Sequence, residues 1–124
     1  MDAFASRFPD LAAALVAELE ASGRADLAEQ LRHALVKGVS FDVDADAAMV
    51  AVEPARELND VEANIVGVRH GETIAVTSTF NVYLDTDNFG RLLGVEVLSP
   101  PPSLKAALDG GLPSNTSLER TRGR

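Results

Sequence analysis

Aspartate recurs at alternate positions in two short stretches of the sequence. The first stretch contains Asp42, Asp44 and Asp46, and the second contains Asp85 and Asp87. Carboxylate oxygens are the ligands that calcium prefers. In the twelve-residue calcium loop they stand at positions 1, 3, 5 and 12, with glycine at position 6. These five aspartates are the candidate metal ligands of the chain, and their spacing suggests calcium.

Each stretch matches the calcium loop only in part. The second has glycine at position 6 and glutamate at position 12, but Phe89 occupies ligand position 5. The first has Glu53 at position 12, but Ala47 replaces the glycine of the sharp turn. Alternating apolar residues flank both stretches, which indicates strands rather than the two helices that enclose a calcium loop.

Strand geometry favours turns over a metal loop. If the second stretch is a hairpin that turns near Asn88, Asp85 lies opposite Arg91, and Glu96 is five residues further along its strand, about 16 Å away. The same geometry separates Asp42 from its position-12 glutamate. We therefore interpret the aspartates as solvated turn residues that punctuate strands. A response to a divalent metal, with calcium as the ion, is the alternative.

The sequence contains no constellation typical of catalysis or of a bound cofactor. Its two histidines, His33 and His70, have no metal-ligand spacing to another candidate residue, and the chain has no cysteine to serve as a nucleophile. Nucleophile-elbow, phosphate-loop and dinucleotide motifs are missing. We therefore predict that the protein is not an enzyme and needs no cofactor.

The charge distribution bounds the partners and the compartment. The net charge is −8, and residues 1–98 carry 7 Lys and Arg against 17 Asp and Glu. A body this acidic repels phosphate backbones, so nucleic-acid binding is not expected. No apolar run is long enough to cross a bilayer, and the N-terminus lacks the pattern of a signal peptide. Together with the absence of cysteine, this predicts an unexported cytoplasmic protein that does not bind membranes.

Two helices are predicted ahead of the strands. Pro9 and Asp10 favour a helix start, leucines follow at every fourth position, and Gly23 favours a helix end near residue 21. A second helix is predicted over residues 25–37 and is expected to end at Gly38. Its apolar side contains Leu27, Leu31, Ala34 and Leu35.

From residue 39 onward the apolar period changes to two, which is the period of a β-strand. The alternation predicts one acidic hairpin over residues 39–53 and a second, denser hairpin over residues 80–99. Residues 61–68 and 73–79 are predicted as further strands. Three consecutive prolines then end the sheet, and a short helical turn is expected around residues 104–108.

These elements predict a single α+β domain over residues 1–109. A helical hairpin over residues 8–38 packs on a mainly antiparallel sheet of about five strands, which is formed by residues 39–99. A short C-terminal helical turn follows. Residues 110–124 are small and polar, and are predicted to form a flexible tail.

Three parts of the β region, residues 41–50, 82–87 and 90–98, read FDVDADAAMV, VYLDTD and GRLLGVEVL. They combine an aromatic–Asp start, an Ala–Asp pair before an apolar strand, an Asp-rich turn with glycine, and a closing Gly–hydrophobic–Glu–hydrophobic strand. In this respect residues 39–99 resemble a family of small bacterial proteins catalogued as domain of unknown function 2283. The resemblance implies a bacterial protein with a small β-rich fold, and no particular chemistry.

Interaction with another protein is the role that these observations leave. An acidic domain with an Ala- and Leu-rich first helix could pair with itself through helix faces or sheet edges, or could bind a basic protein partner. We therefore predict a non-catalytic binding or self-association module, which forms a homo-oligomer or binds a protein partner. The divalent-metal-responsive protein is the alternative.

Overall fold

The computed structural model describes residues 1–110 of the chain. Its helices are α1 (Phe4–Arg7), α2 (Pro9–Ala21), α3 (Ala25–His33) and α4 (Pro102–Gly110). Its strands are β1 (Val36–Asp42), β2 (Ala47–Val52), β3 (His70–Val76), β4 (Asn81–Asp87) and β5 (Leu92–Leu98). The predicted α+β class is confirmed, including the short C-terminal helix. The predicted tail lies outside the described residues, apart from Gly110 at the end of α4.

The first predicted helix is confirmed as α2. Pro9 lies in its first turn, where a missing amide hydrogen breaks no helical bond, and Asp10 lies near the positive end of the helix dipole. Beyond the helix end, Gly23 has a φ of +80°, which glycine adopts readily. The leucines at every fourth position are all buried: Leu11, Leu15 and Leu19. The short helix α1 ahead of it was not predicted.

The second predicted helix ends four residues early, at the end of α3. Ala34 has an extended backbone, with φ −64° and ψ 140°. Phe4 donates its amide to the Ala34 carbonyl (2.8 Å), and Val36 donates its amide to the carbonyl of Asp2 (2.7 Å). These bonds to the first residues of the chain replace helical bonds, so Val36 begins β1. The prediction of helix over residues 34–37 is wrong.

The five strands form one sheet in the order β1-β2-β5-β4-β3, and every neighbouring pair is antiparallel. Both predicted acidic hairpins are confirmed, as β1–β2 and β4–β5. Pairing of β2 with β5 joins the two hairpins at the centre of the sheet. The edges of the sheet are therefore β1 and β3.

The register of the β4–β5 hairpin differs from the predicted one. Asp85 pairs with Gly94 and not with Arg91. The turn is centred one residue later than predicted, which moves the partner of Asp85 to Leu93, and an irregularity between Asp85 and Thr86 moves it one residue further. Glu96 pairs with Tyr83 and is therefore a diagonal neighbour of Asp85, about 7–8 Å away. The large separation predicted between Asp85 and Glu96 is wrong.

Residues 61–68 do not form the predicted strand. Glu62–Val66 form a single turn of π-helix, closed by a hydrogen bond of 2.8 Å from the Gly67 amide to the Glu62 carbonyl. Gly67 has a φ of +80° and ends the turn. The residues are of strand-forming types, but strand propensity is realised only against a partner strand. Residues 61–68 pair with neither edge strand, β1 or β3, so this propensity is not realised.

Helices cover only one face of the sheet. Alternate residues of the strands point to this face and form a single core with side chains from all four helices. On the opposite face, which we call the open face, Met49 lies across Gly94: a Cβ atom at Gly94 would be 3.2 Å from the Met49 sulfur. None of the helices in residues 1–110 has the length and apolarity needed to span a bilayer.

Candidate interaction surface

Residues 61–68, which we call the apolar segment, expose four large aliphatic side chains within eight consecutive residues. The exposed fractions are 56% for Val61, 77% for Ile65, 43% for Val66 and 53% for Val68. The other exposed large hydrophobic residues among residues 1–110 are scattered, and they are Met1, Leu35 and Val43. On the surface of a globular domain, a group of exposed apolar side chains marks an interaction site more often than a single exposed apolar side chain does.

Polar residues at the start of the apolar segment hold it in its turn. Asn59 and Glu62 exchange hydrogen bonds: the Glu62 amide donates to the Asn59 side chain (2.9 Å), and the Asn59 amide donates to the Glu62 carboxylate (3.0 Å). This is the reciprocal arrangement of a capping box. Both carboxylate oxygens of Glu62 also accept bonds from the Arg56 guanidinium, at 3.0 and 2.9 Å.

Asn88, in the turn between β4 and β5, ties the end of the apolar segment to the sheet. Its side-chain oxygen accepts a bond from the Arg69 amide (2.7 Å), and its side-chain nitrogen donates to the Gly67 carbonyl (3.1 Å). The Asn88 amide also donates to the carbonyl of Arg69, at 2.9 Å. The segment is therefore fixed at both ends, and its aliphatic side chains are held outward by polar contacts rather than by packing.

A buried ion pair between Asp87 and Arg91 stabilises the turn between β4 and β5. The Asp87 side chain is 0% exposed and that of Arg91 is 11% exposed. The carboxylate accepts bonds from the amides of Phe89 (2.9 Å) and Arg91 (3.0 Å), and from the Arg91 Nε (2.7 Å). Arg91 Nη1 donates to the carbonyl of Arg56 (3.0 Å), which links the ion pair to the start of the loop that carries the apolar segment.

Both carboxylates in this region are held in their ionised form. Burial alone would raise the pKa of Asp87, but the hydrogen bonds from Arg91 and from the Phe89 amide outweigh burial, and the pKa lies below its usual range. The Arg56 guanidinium, together with the Asn59 amide, lowers the pKa of Glu62 to about 2. Groups ionised this firmly at neutral pH serve as structural anchors, whereas a general acid or base needs a pKa near the working pH.

The first aspartate stretch lies in the β1–β2 turn, where its members have separate roles. The Asp42 carboxylate accepts a bond from the amide of Ala45 (3.2 Å), which is typical of an aspartate turn. Asp44 is exposed. Asp46 lies 3.2 Å from the Lys105 ammonium of α4.

The second aspartate stretch lies at the other end of the sheet. Ala47, Leu98 and Asn81 align across three strands, and Asp87 is six residues beyond Asn81, about 20 Å along β4. Asp85 accepts a bond from the Thr73 hydroxyl (2.8 Å). Across residues 1–110, no group of three or more His, Cys, Asp or Glu side chains is placed to hold a metal ion. The structure thus separates the two candidate sets, and calcium binding stays a prediction.

The residues that anchor the apolar segment were not among those predicted from the sequence. One local signal was available, because Asn-x-x-Glu at residues 59–62 is typical of a helix start. The alternating apolar pattern that follows outweighed it. Asn88 and Arg91 carried no such signal, since their bonds reach residues 21 and 35 positions away in the chain.

No protein-family model, curated protein or solved structure matches the chain. The resemblance to domain of unknown function 2283 therefore stays a prediction.

Proposed function

We propose that this protein is a non-catalytic self-association module, and that its contact surface is the apolar segment. The observation that carries the proposal is the exposure of Val61, Ile65, Val66 and Val68 on a turn that polar bonds fix at both ends. A surface that is already ordered loses little conformational entropy when it binds. The absence of cysteine is in keeping with a cytoplasmic site of action.

Charge restricts where a second copy of the chain can bind, and this surface is the one that it leaves open. With a net charge of −8, two copies repel each other over most of their surface. Residues 63–68 carry no charge, and the adjacent Glu62 is neutralised by Arg56 at 2.9 Å. A two-fold contact places the same patch on both copies. Residues 63–68 of two copies can meet in this way without burying carboxylates, and Arg69, which donates to the Val66 carbonyl (2.9 Å), lies beside the contact.

The exposed area supports a weak dimer. The exposed fractions of the four side chains add up to a little over two complete aliphatic side chains. Complete burial of one such side chain is worth about 1.5–3 kcal/mol, so two copies gain about 7–14 kcal/mol. Association itself costs about 4–15 kcal/mol. The two ranges overlap, so the gain from burial roughly offsets the cost of association, which favours a weak, concentration-dependent dimer over a tight one.

Sedimentation velocity over a dilution series from about 1 mM to 1 μM tests the proposal. We expect the average mass of the wild type to rise with concentration. Ile65→Ser removes the most exposed side chain of the segment from both copies, and should weaken association about 40- to 2,000-fold. The matched control is Val43→Ser, because Val43 is an aliphatic residue of similar exposure, 81%, in the β1–β2 turn.

Two results would contradict self-association through the apolar segment. One is a wild-type protein that stays monomeric at every concentration. The other is a Val43→Ser variant that loses association as strongly as Ile65→Ser, since Val43 lies at the opposite end of the sheet. Circular dichroism of both variants should match the wild type, because each changed side chain is mostly exposed.

A further inference from the structure

The open face of the sheet brings two carboxylates together on an apolar floor. Met49, Glu96 and Tyr83 align across β2, β5 and β4, and Ala51, Gly94 and Asp85 form the next row. Paired residues of antiparallel strands share a face. These side chains therefore all point away from the helices, and each is only partly exposed apart from the buried Gly94.

Neither carboxylate is neutralised by a cation. The Glu96 carboxylate makes no hydrogen bond or ion pair within residues 1–110, and the Asp85 carboxylate accepts only the Thr73 hydroxyl, at 2.8 Å. The two residues are diagonal neighbours, about 7–8 Å apart. Partial burial of a charge without a partner is unfavourable. A positive group that approaches this face would therefore meet two carboxylates that have no cationic partner within residues 1–110.

We propose that the open face binds a basic protein partner that inserts an arginine side chain between Asp85 and Glu96. A guanidinium has five donors in a planar fork, and can bond two carboxylates at once. Its aliphatic stem would lie on Met49, and its plane would contact the Tyr83 ring. The strongly acidic body, with 17 Asp and Glu against 7 Lys and Arg over residues 1–98, would attract such a partner from a distance. This surface is separate from the apolar segment, so the proposal does not depend on self-association.

A fluorescent peptide with alternating arginine and leucine is the probe, and its binding is measured by fluorescence anisotropy. We expect Glu96→Gln to weaken binding about tenfold, as expected for loss of a charge-assisted hydrogen bond. The matched control is Glu57→Gln, which removes the same charge from an exposed residue in the loop after β2. A peptide with lysine in place of arginine should bind the wild type several-fold more weakly, and the two peptides should bind Glu96→Gln about equally.

Three outcomes would overturn the proposal. The first is a wild-type protein that does not bind the arginine peptide at low salt. The second is an equal loss of binding in Glu57→Gln and Glu96→Gln, which would reveal general attraction to an acidic surface. The third is a change in self-association caused by Glu96→Gln, because the open face would then contact a second copy. Thermal melting of each variant shows that the fold is retained.

Discussion

Replacing Asp87 by asparagine tests whether the buried ion pair holds the β4–β5 turn. Asparagine has nearly the same shape, and its oxygen can still accept the amides of Phe89 and Arg91. The bond of 2.7 Å from Arg91 Nε to the second carboxylate oxygen is lost, because an amide nitrogen cannot accept it. Arg91, with 11% of its side chain exposed, is left as a buried charge without its partner.

The expected loss is large. Removal of one partner from a buried ion pair destabilises a protein by about 3–5 kcal/mol. The retained amide bonds favour the lower end of this range, about 3 kcal/mol. The matched control is Asp85→Asn, two residues away in the same strand. Asp85 is half-buried and accepts a single neutral hydroxyl, so its replacement should cost at most about 1.5 kcal/mol.

Urea unfolding followed by circular dichroism at pH 7 measures both variants. With a slope of about 1–3 kcal/mol per molar urea, Asp87→Asn should lower the midpoint by about 1–3 M, and Asp85→Asn should lower it by less than half as much. Equal midpoints for Asp87→Asn and the wild type would refute the structural role of the ion pair. The structure also corrects the interpretation of Asp85 and Asp87 as solvated turn residues. Both lie in β4, where Asp85 is half-buried and Asp87 is buried. Asp85→Asn is therefore the cleaner variant for any test of ion binding.

Two further predictions concern pH and strand packing. Because the pKa of Asp87 is lowered in the folded state, the unfolded chain binds more protons in acid, and stability should fall as the pH drops below about 4. Urea midpoints from pH 7 to pH 3 should decline less for Asp87→Asn. Gly71→Ala should lose at least about 2 kcal/mol in the same assay, because its Cβ would collide with the Asp87 carbonyl. Gly38→Ala, with no atom within 4 Å of its Cβ, should change stability by less than about 1 kcal/mol; an equal loss in both would contradict the packing.

The aspartate stretches show how far local patterns reach. Asp44 and Asp87 both lie near a hairpin turn, and both were interpreted as solvated. Asp44 is exposed, but Asp87 is buried against Arg91. The difference arises because the loop between β2 and β3 crosses the β4–β5 turn and covers it, with Arg91 bonded to the Arg56 carbonyl. The residues next to Asp87 in the sequence do not predict the contact between this loop and the β4–β5 turn.

The sequence alone was enough to predict those helices and hairpins that depend on interactions between residues close together in the chain. The leucine spacing of α2, its proline start and the two acidic hairpins depend on side-chain periodicity and on turn residues, and the structure contains all of them. Where a segment could bond to more than one set of partners, the tertiary structure decided its conformation. Residues 34–36 bond to the N-terminus instead of continuing α3, residues 61–68 curl into a turn without a partner strand, and an irregular pairing sets Asp85 beside Glu96. For residues 34–36 the deciding hydrogen bonds reach residues 30 and 34 positions away in the chain, which no local pattern encodes. The turn at residues 61–68 and the β4–β5 register are set by bonds of shorter range, which override the strand and turn propensities of the residues concerned.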